Sequence, residues 1–132
     1  MERPFADKTF VFSAPINGNY VIELYAGDYV MIEETFADVL REYDGFVQRI
    51  LTTYQEGDLP ALKSAVHKIK PLFGFVGLTA LQSQCLQFEN ACLSATTTQL
   101  ADRFPALRSD LMGARAIIEK EMGRLTEYNS QS

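Results

Sequence analysis

One histidine and two cysteines are scattered through 132 residues, too few to assemble a standard structural zinc site without carboxylates. The eight glycines are dispersed as well. No Gly-x-x-x-x-Gly-Lys loop and no Gly-x-Gly-x-x-Gly turn is present to cradle phosphates, so nothing here holds ATP. A single histidine with no nucleophile elbow gives no Ser-His-Asp order. The inward Glu-x-x-His pairs of metal-binding bundles are missing too. No apolar run approaches the ~20 residues that span a bilayer. Met1-Glu2-Arg3-Pro4 lacks a basic region followed by an apolar one, so no signal peptide is expected. Two cysteines without such a signal point to a reducing cytosol. A net charge of −5 argues against nucleic acid as a partner.

What is present describes one globular domain. The apolar fraction is 47% and the charged fraction 22%, ordinary values for a chain large enough to bury its own core. Residues 1–19 hold two prolines and one glycine and read as an irregular arm, packed on the body through Phe5, Phe10, Phe12 and Ile16. A short helix follows over Tyr20 to Ala26. Asp28 then reads as the N-cap of a long helix, with Phe36, Val39, Leu40, Tyr43, Val47, Ile50, Leu51 and Tyr54 at three- and four-residue steps. Gly57 ends that helix. Asp58 caps the next, with Pro60 in its first turn. Gly77 breaks the chain again, and Thr79 followed by Gln82 reads as a capping box. The third long helix buries Leu81, Cys85, Phe88 and Cys92. Cys85 and Cys92 are seven apart on one face, which marks small buried residues rather than a redox pair. After a turn at Thr96–Thr98, a seam from Leu100 to Leu125 marks the last helix, with a kink or restart expected at Pro105. Four long amphipathic helices with short connections predict an all-α, antiparallel up-down four-helix bundle. It occupies residues 20–128, and 129–132 are expected to form a disordered tail.

The histidine lies on the second long helix. At about 100° per residue, Leu62, Val66, Ile69, Phe73 and Val76 share one stripe and His67 falls nearly opposite. Lys63, Lys70 and Gly74 fall close to His67, with Pro71 beside them. An exposed imidazole therefore has a cation one turn along and compact residues below it, a surface that a second protein can approach. Pro71 cannot donate to the carbonyl of His67, four residues earlier, and its ring crowds that carbonyl. The helix is expected to bend or loosen there.

These residues resemble the histidine-containing phosphotransfer (HPt) family, whose motif reads roughly Ala-His-x-Leu-Lys-Gly, then a small residue, then Gly ten positions after the histidine. Val66 stands for the usual Ala and Ile69 for the usual Leu. Lys70 and Gly77 match in place, and Gly74 supplies the small residue. Leu81, Cys85, Phe88 and Glu89 resemble the family's "L…C…LE" tail. Leu24, Gly27, Asp28 and Phe36 resemble its "L…GGD…F" opening, and Asp58 also fits. The resemblance spans roughly residues 20–125. The main departure is Pro71, where the family usually has Gly.

The resemblance implies a phosphorelay intermediate in the cytoplasm, a monomer without kinase activity of its own. His67 would take a phosphoryl group from the aspartyl phosphate of a receiver domain and pass it to another receiver. No cofactor is expected in this chain, because the resemblance assigns Mg2+ to the receiver. An imidazole, with a reference pKa of about 6.5, is largely neutral at pH 7 and nucleophilic toward phosphorus. Lys70 is placed to pair with the added charge. Glu89 is a candidate to orient the ring, with Gln82 and Gln87 as rivals. Lys63, Lys68, Pro71, Gly74 and Gly77 are the expected docking residues, and Lys63 and Lys68 form a basic collar that could steer an acidic partner. The alternative is an HPt-like interaction module that has kept the fold and lost the chemistry.

Overall fold

A computed structural model describes residues 10–131. They form five helices: α1 (Gly18–Leu24), α2 (Tyr29–Gln55), α3 (Leu59–Phe75), α4 (Thr79–Ser94) and α5 (Thr97–Ser130). No strand occurs among the described residues.

Local chemistry punctuates the chain where the sequence places Gly and Asp. At the end of α3 the Leu78 N–H donates to the Phe73 carbonyl at 2.8 Å and the Gly77 N–H to the Gly74 carbonyl. Gly77 takes φ +76°. This is a Schellman turn, which needs a left-handed residue after the helix cap. The same pair of bonds closes α2 around Gly57, through Asp58 N–H to Thr53 O and Gly57 N–H to Tyr54 O. The residue after that turn, Asp58, then caps α3 by accepting from the Ala61 N–H at 3.1 Å. Asp28 caps α2 in the same way through the Met31 N–H. Each of the two glycine turns leaves only three residues between one long helix and the next.

The four long helices pack in a ring, α2 on α3, α3 on α4, α5 on α2 and, more sparingly, α5 on α4. The protein is an all-α helical bundle. Its interior holds Phe36, Tyr43, Ile50, Leu62, Ile69, Phe73, Leu107, Leu111 and Ile118, each nearly or fully buried. The Tyr43 hydroxyl donates to the Leu111 carbonyl at 2.6 Å and ties α2 to α5 in the core. Phe10, Phe12 and Ile16 of the arm are buried as expected; Phe5 lies outside the described residues. The arm is also fastened by polar bonds. Buried Glu121 accepts from the Ser13 N–H at 2.8 Å, and Arg124 donates to the Val11 carbonyl at 2.9 Å.

Several boundaries differ from the sequence reading. The short leading helix covers Gly18–Leu24 rather than Tyr20–Ala26, because Asn17 caps it through the Tyr20 N–H. Thr79 and Gln82 form no capping box. Leu78 occupies the cap position with no side-chain bond, and Thr79 is already helical. The box forms instead between Thr96 and Gln99 at the start of α5. The expected tail from residue 129 begins as helix, and Asn129 donates to the Tyr29 carbonyl and to Glu33. Neither Pro71 nor Pro105 divides its helix. Both prolines are exposed, and so are His67 and Ala101, whose carbonyls lose their helical donor. Packing of the opposite, buried face keeps each helix continuous.

Candidate functional site

His67 is on the outer side of α3, with a side chain 66% exposed. Its Nδ1 lies 2.8 Å from Glu89 Oε1 on α4. The Glu89 side chain is only 5% exposed, and its second oxygen, Oε2, pairs with the Lys70 ammonium at 2.6 Å. A buried carboxylate therefore bridges an exposed imidazole and a half-buried ammonium, across the seam between α3 and α4. Lys70 and His67 are three residues apart, one turn on a shared face. Glu89 reaches both because the Gly77 turn folds α4 back along α3.

This geometry has a direct chemical consequence. In a neutral ring, a carboxylate accepting at Nδ1 favours the proton on that nitrogen, which puts the lone pair on Nε2. The ring is fixed in orientation at one nitrogen and open at the other. Burial raises the charge-charge coupling inside the triad, and the paired ammonium keeps the Glu89 charge from standing alone. Behind it, burial pushes the Cys85 thiol up to about 12, with the Glu89 charge adding to the effect. Cys85 thus stays a neutral packing group below the carboxylate.

The other singled-out residues separate into distinct places. Lys68 is exposed on the α2 side of α3, where it lines a groove with Arg49. Lys63 lies on the α4 side, near enough to Cys92 for its charge to be felt there. The expected basic collar is therefore split across the two flanks of α3. Pro71 is exposed one turn beyond His67. Gly74, expected on the open docking surface, is buried: a Cβ there would sit 2.8 Å from the Gln82 side-chain nitrogen. The cause is α4, which covers the Lys70 and Gly74 side of α3 and leaves the Pro71 side bare. Gly77 is buried too, and a Cβ on it would run into Val21 Cγ2. It cannot meet an incoming protein directly. Gln82 covers Gly74, and Gln87 is exposed in a separate groove beside Arg103. Of the three residues considered for the ring, the fold brings Glu89 to it.

Two apolar residues near the site went unnoticed in the sequence. Phe75 is 46% exposed two turns from His67 on α3, and Leu86 is 47% exposed one turn before Glu89 on α4. Their signal is detectable in hindsight. Phe75 follows His67 at a spacing of eight, which returns it to the same exposed side.

A model of the Hpt domain matches residues 34–126. The chain belongs to the Hpt domain family. Hpt domains are helical bundles that carry phosphoryl groups in two-component signalling and are not kinases. Neither curated proteins nor solved structures yield a match. The matched segment of this Hpt domain begins inside α2 and includes His67, Lys70 and Glu89. The arm, α1 and the first turn of α2 precede it, among them Leu24, Gly27 and Asp28 of the resembled opening. No described helix is long and apolar enough to cross a membrane, and no described His, Cys, Asp and Glu side chains cluster as a metal site.

Proposed function

We propose that His67 is the phosphoacceptor of a phosphorelay, receiving a phosphoryl group from the aspartyl phosphate of one receiver domain and delivering it to another. The observation that carries this reading is the exposed imidazole whose Nδ1 is held by a buried carboxylate at 2.8 Å. The Nε2 lone pair attacks phosphorus in line as the bond from phosphorus to the aspartyl oxygen breaks. The receiver carboxylate leaves with the electron pair. The ring keeps its Nδ1 proton and becomes positive as the new nitrogen–phosphorus bond forms. Glu89 lies where that positive charge develops, so it stabilises the product ring. It acts as a positioning residue through His67, without touching phosphorus. Lys70, one turn along and already drawn to the site by Glu89, is the cation that would pair with the phosphoryl oxygens, in exchange for part of its pairing with Glu89. Pro71 one turn and Phe75 two turns beyond His67 on α3, with Leu86 on α4, supply exposed apolar surface for a partner, and Lys68 a flanking charge.

The test uses a receiver domain phosphorylated on its aspartate. Acid-labile label should appear on the chain and vanish in His67→Gln, with the melting temperature nearly unchanged because the side chain is mostly exposed and the Gln amide can replace the Nδ1–H donor to Glu89. Labelling that survives the substitution overturns the assignment. A chain that binds the receiver and takes no label would be an interaction module only.

A further inference from the structure

We propose that the groove between α2 and α3 is an electrostatic dock for an acidic segment of the phosphoryl-exchanging receiver, separate from the apolar contact around His67. The groove has a volume of about 520 Å3 and is lined by Arg41, Glu42, Gly45, Arg49 and Lys68 among others. Lys68 directly follows His67 in the chain, so the groove borders the acceptor's own turn. Three cations face one carboxylate there. Arg41 is already bonded to Asp38 at 2.9 Å. Arg49 and Lys68 pair with no carboxylate among the described residues, on a chain whose net charge is −5. Of the other four described arginines, Arg115 is engaged with Asp44 and Glu119 and Arg124 with Glu121, while Arg103 and Arg108 lie away from the acceptor on α5. Arg49 and Lys68, beside the acceptor and facing only Glu42 in the groove, are an attractive point for negative charge on an otherwise acidic surface.

Gly45 is the second, independent observation. It sits in mid-α2, where glycine costs about 1 kcal/mol against alanine. Nothing in the fold demands it, as nothing demands Gly113 or Gly123 in α5, but of these three Gly45 is the one that lines the cationic groove. Its φ is helical, it is exposed, and a Cβ there would meet nothing within 4 Å. A glycine that the folded chain does not need, at the wall of a groove with unpaired cations, fits close approach by a partner's backbone. Carboxylates of that partner would then reach Arg49 and Lys68. The argument rests on the phosphorelay reading of His67, because it is the receiver that brings the acidic segment.

The experiment follows transfer from a phosphorylated receiver domain to the full chain at low and high salt. Arg49→Glu with Lys68→Glu should lower kcat/KM about tenfold at low ionic strength and converge on the unmodified chain near 1 M salt, since exposed charges are screened there. Arg108→Glu with Lys120→Glu, which moves the net charge equally on exposed positions of α5, should leave the rate within twofold. Gly45→Gln should raise the melting temperature and still slow transfer, an opposition that a packing glycine would not produce. Equal slowing by the α5 pair, or unchanged rates in the groove variants, overturns the dock and leaves the acceptor assignment intact. Failure of the unmodified chain to take label overturns the phosphorelay reading and the dock with it.

Discussion

At the scale of single residues, the decisive arrangement is a carboxylate shared by an imidazole and an ammonium. Lys70 cannot be removed without consequence for Glu89, whose charge is buried. Lys70→Ala should cost about 1–3 kcal/mol of stability, the price of stripping a partner from a buried charged group. It should also slow transfer or shorten the phosphohistidine lifetime. Lys63→Ala, on the same flank but outside the triad, should do neither. Thermal melts and label-decay curves on the two variants check this, and equal behaviour would make Lys70 an ordinary surface charge. Gly74 gives a second test at this scale. Gly74→Ala places its Cβ against the far end of the flexible Gln82 side chain, which can swing aside, while the helix gains up to about 1 kcal/mol. Stability should barely change. Gly74→Gln has nowhere to go between α3 and α4 and should cost about 1–3 kcal/mol through overpacking. A Gln variant as stable as the parent would show that α4 lies elsewhere.

Elements were more legible in the sequence than the site was. The stripe of Leu62, Val66, Ile69, Phe73 and Val76 foretells the buried face of α3, because helical periodicity is a property of one segment. Asp28, Asp58, Gly57 and Gly77 foretell the breaks for the same reason. The position of Gly74 was not legible. A helical wheel puts it beside His67, and only the placement of α4 decides which side of His67 is covered. Choosing among Glu89, Gln82 and Gln87 needs the phase of α4 against α3, which no local pattern contains. Thr79 misled because two local rules compete. The Schellman turn through Gly77 draws Leu78 inward, where it is buried, and that fixes the cap one residue before the threonine. Thr96→Ala should therefore cost about 1 kcal/mol as a lost cap. Thr79→Ala should cost at most a few tenths, being already inside a helix. Urea unfolding of both variants measures the contrast, and equal losses would restore the box at Thr79.

At the scale of the whole molecule, the segment before the family match is fastened to the site-bearing helix. The Asn17 N–H donates to the Gly77 carbonyl at 2.8 Å, and the Tyr25 hydroxyl donates to the Phe75 carbonyl at 2.8 Å. Val21 and Ile16 press on Gly77 itself. The arm is anchored at its other side to α5 by Glu121 and Arg124. The α3–α4 turn, and with it the alignment of His67 on Glu89, is thus braced from outside the matched residues.

The unequal packing of α4 sets a clock for the bundle. α4 is joined closely to α3 and only sparingly to α5, and open grooves line its seam with α5 at Gln84, Gln87 and Arg103. Sub-global opening follows the least packed boundary. The α4–α5 seam should therefore part first, and because α5 also packs less closely on α2 than α3 does, α5 should be the element that leaves, with α3 and α4 staying together. In hydrogen exchange, the amides of α3 and α4 should share a common opening free energy, above that of the α5 amides. If α4 exchanges alone, ahead of α3, the two helices are not a unit. Shared exchange would mean that the acceptor and its carboxylate keep their mutual geometry through every fluctuation short of unfolding, so that each encounter with a partner meets the same aligned ring.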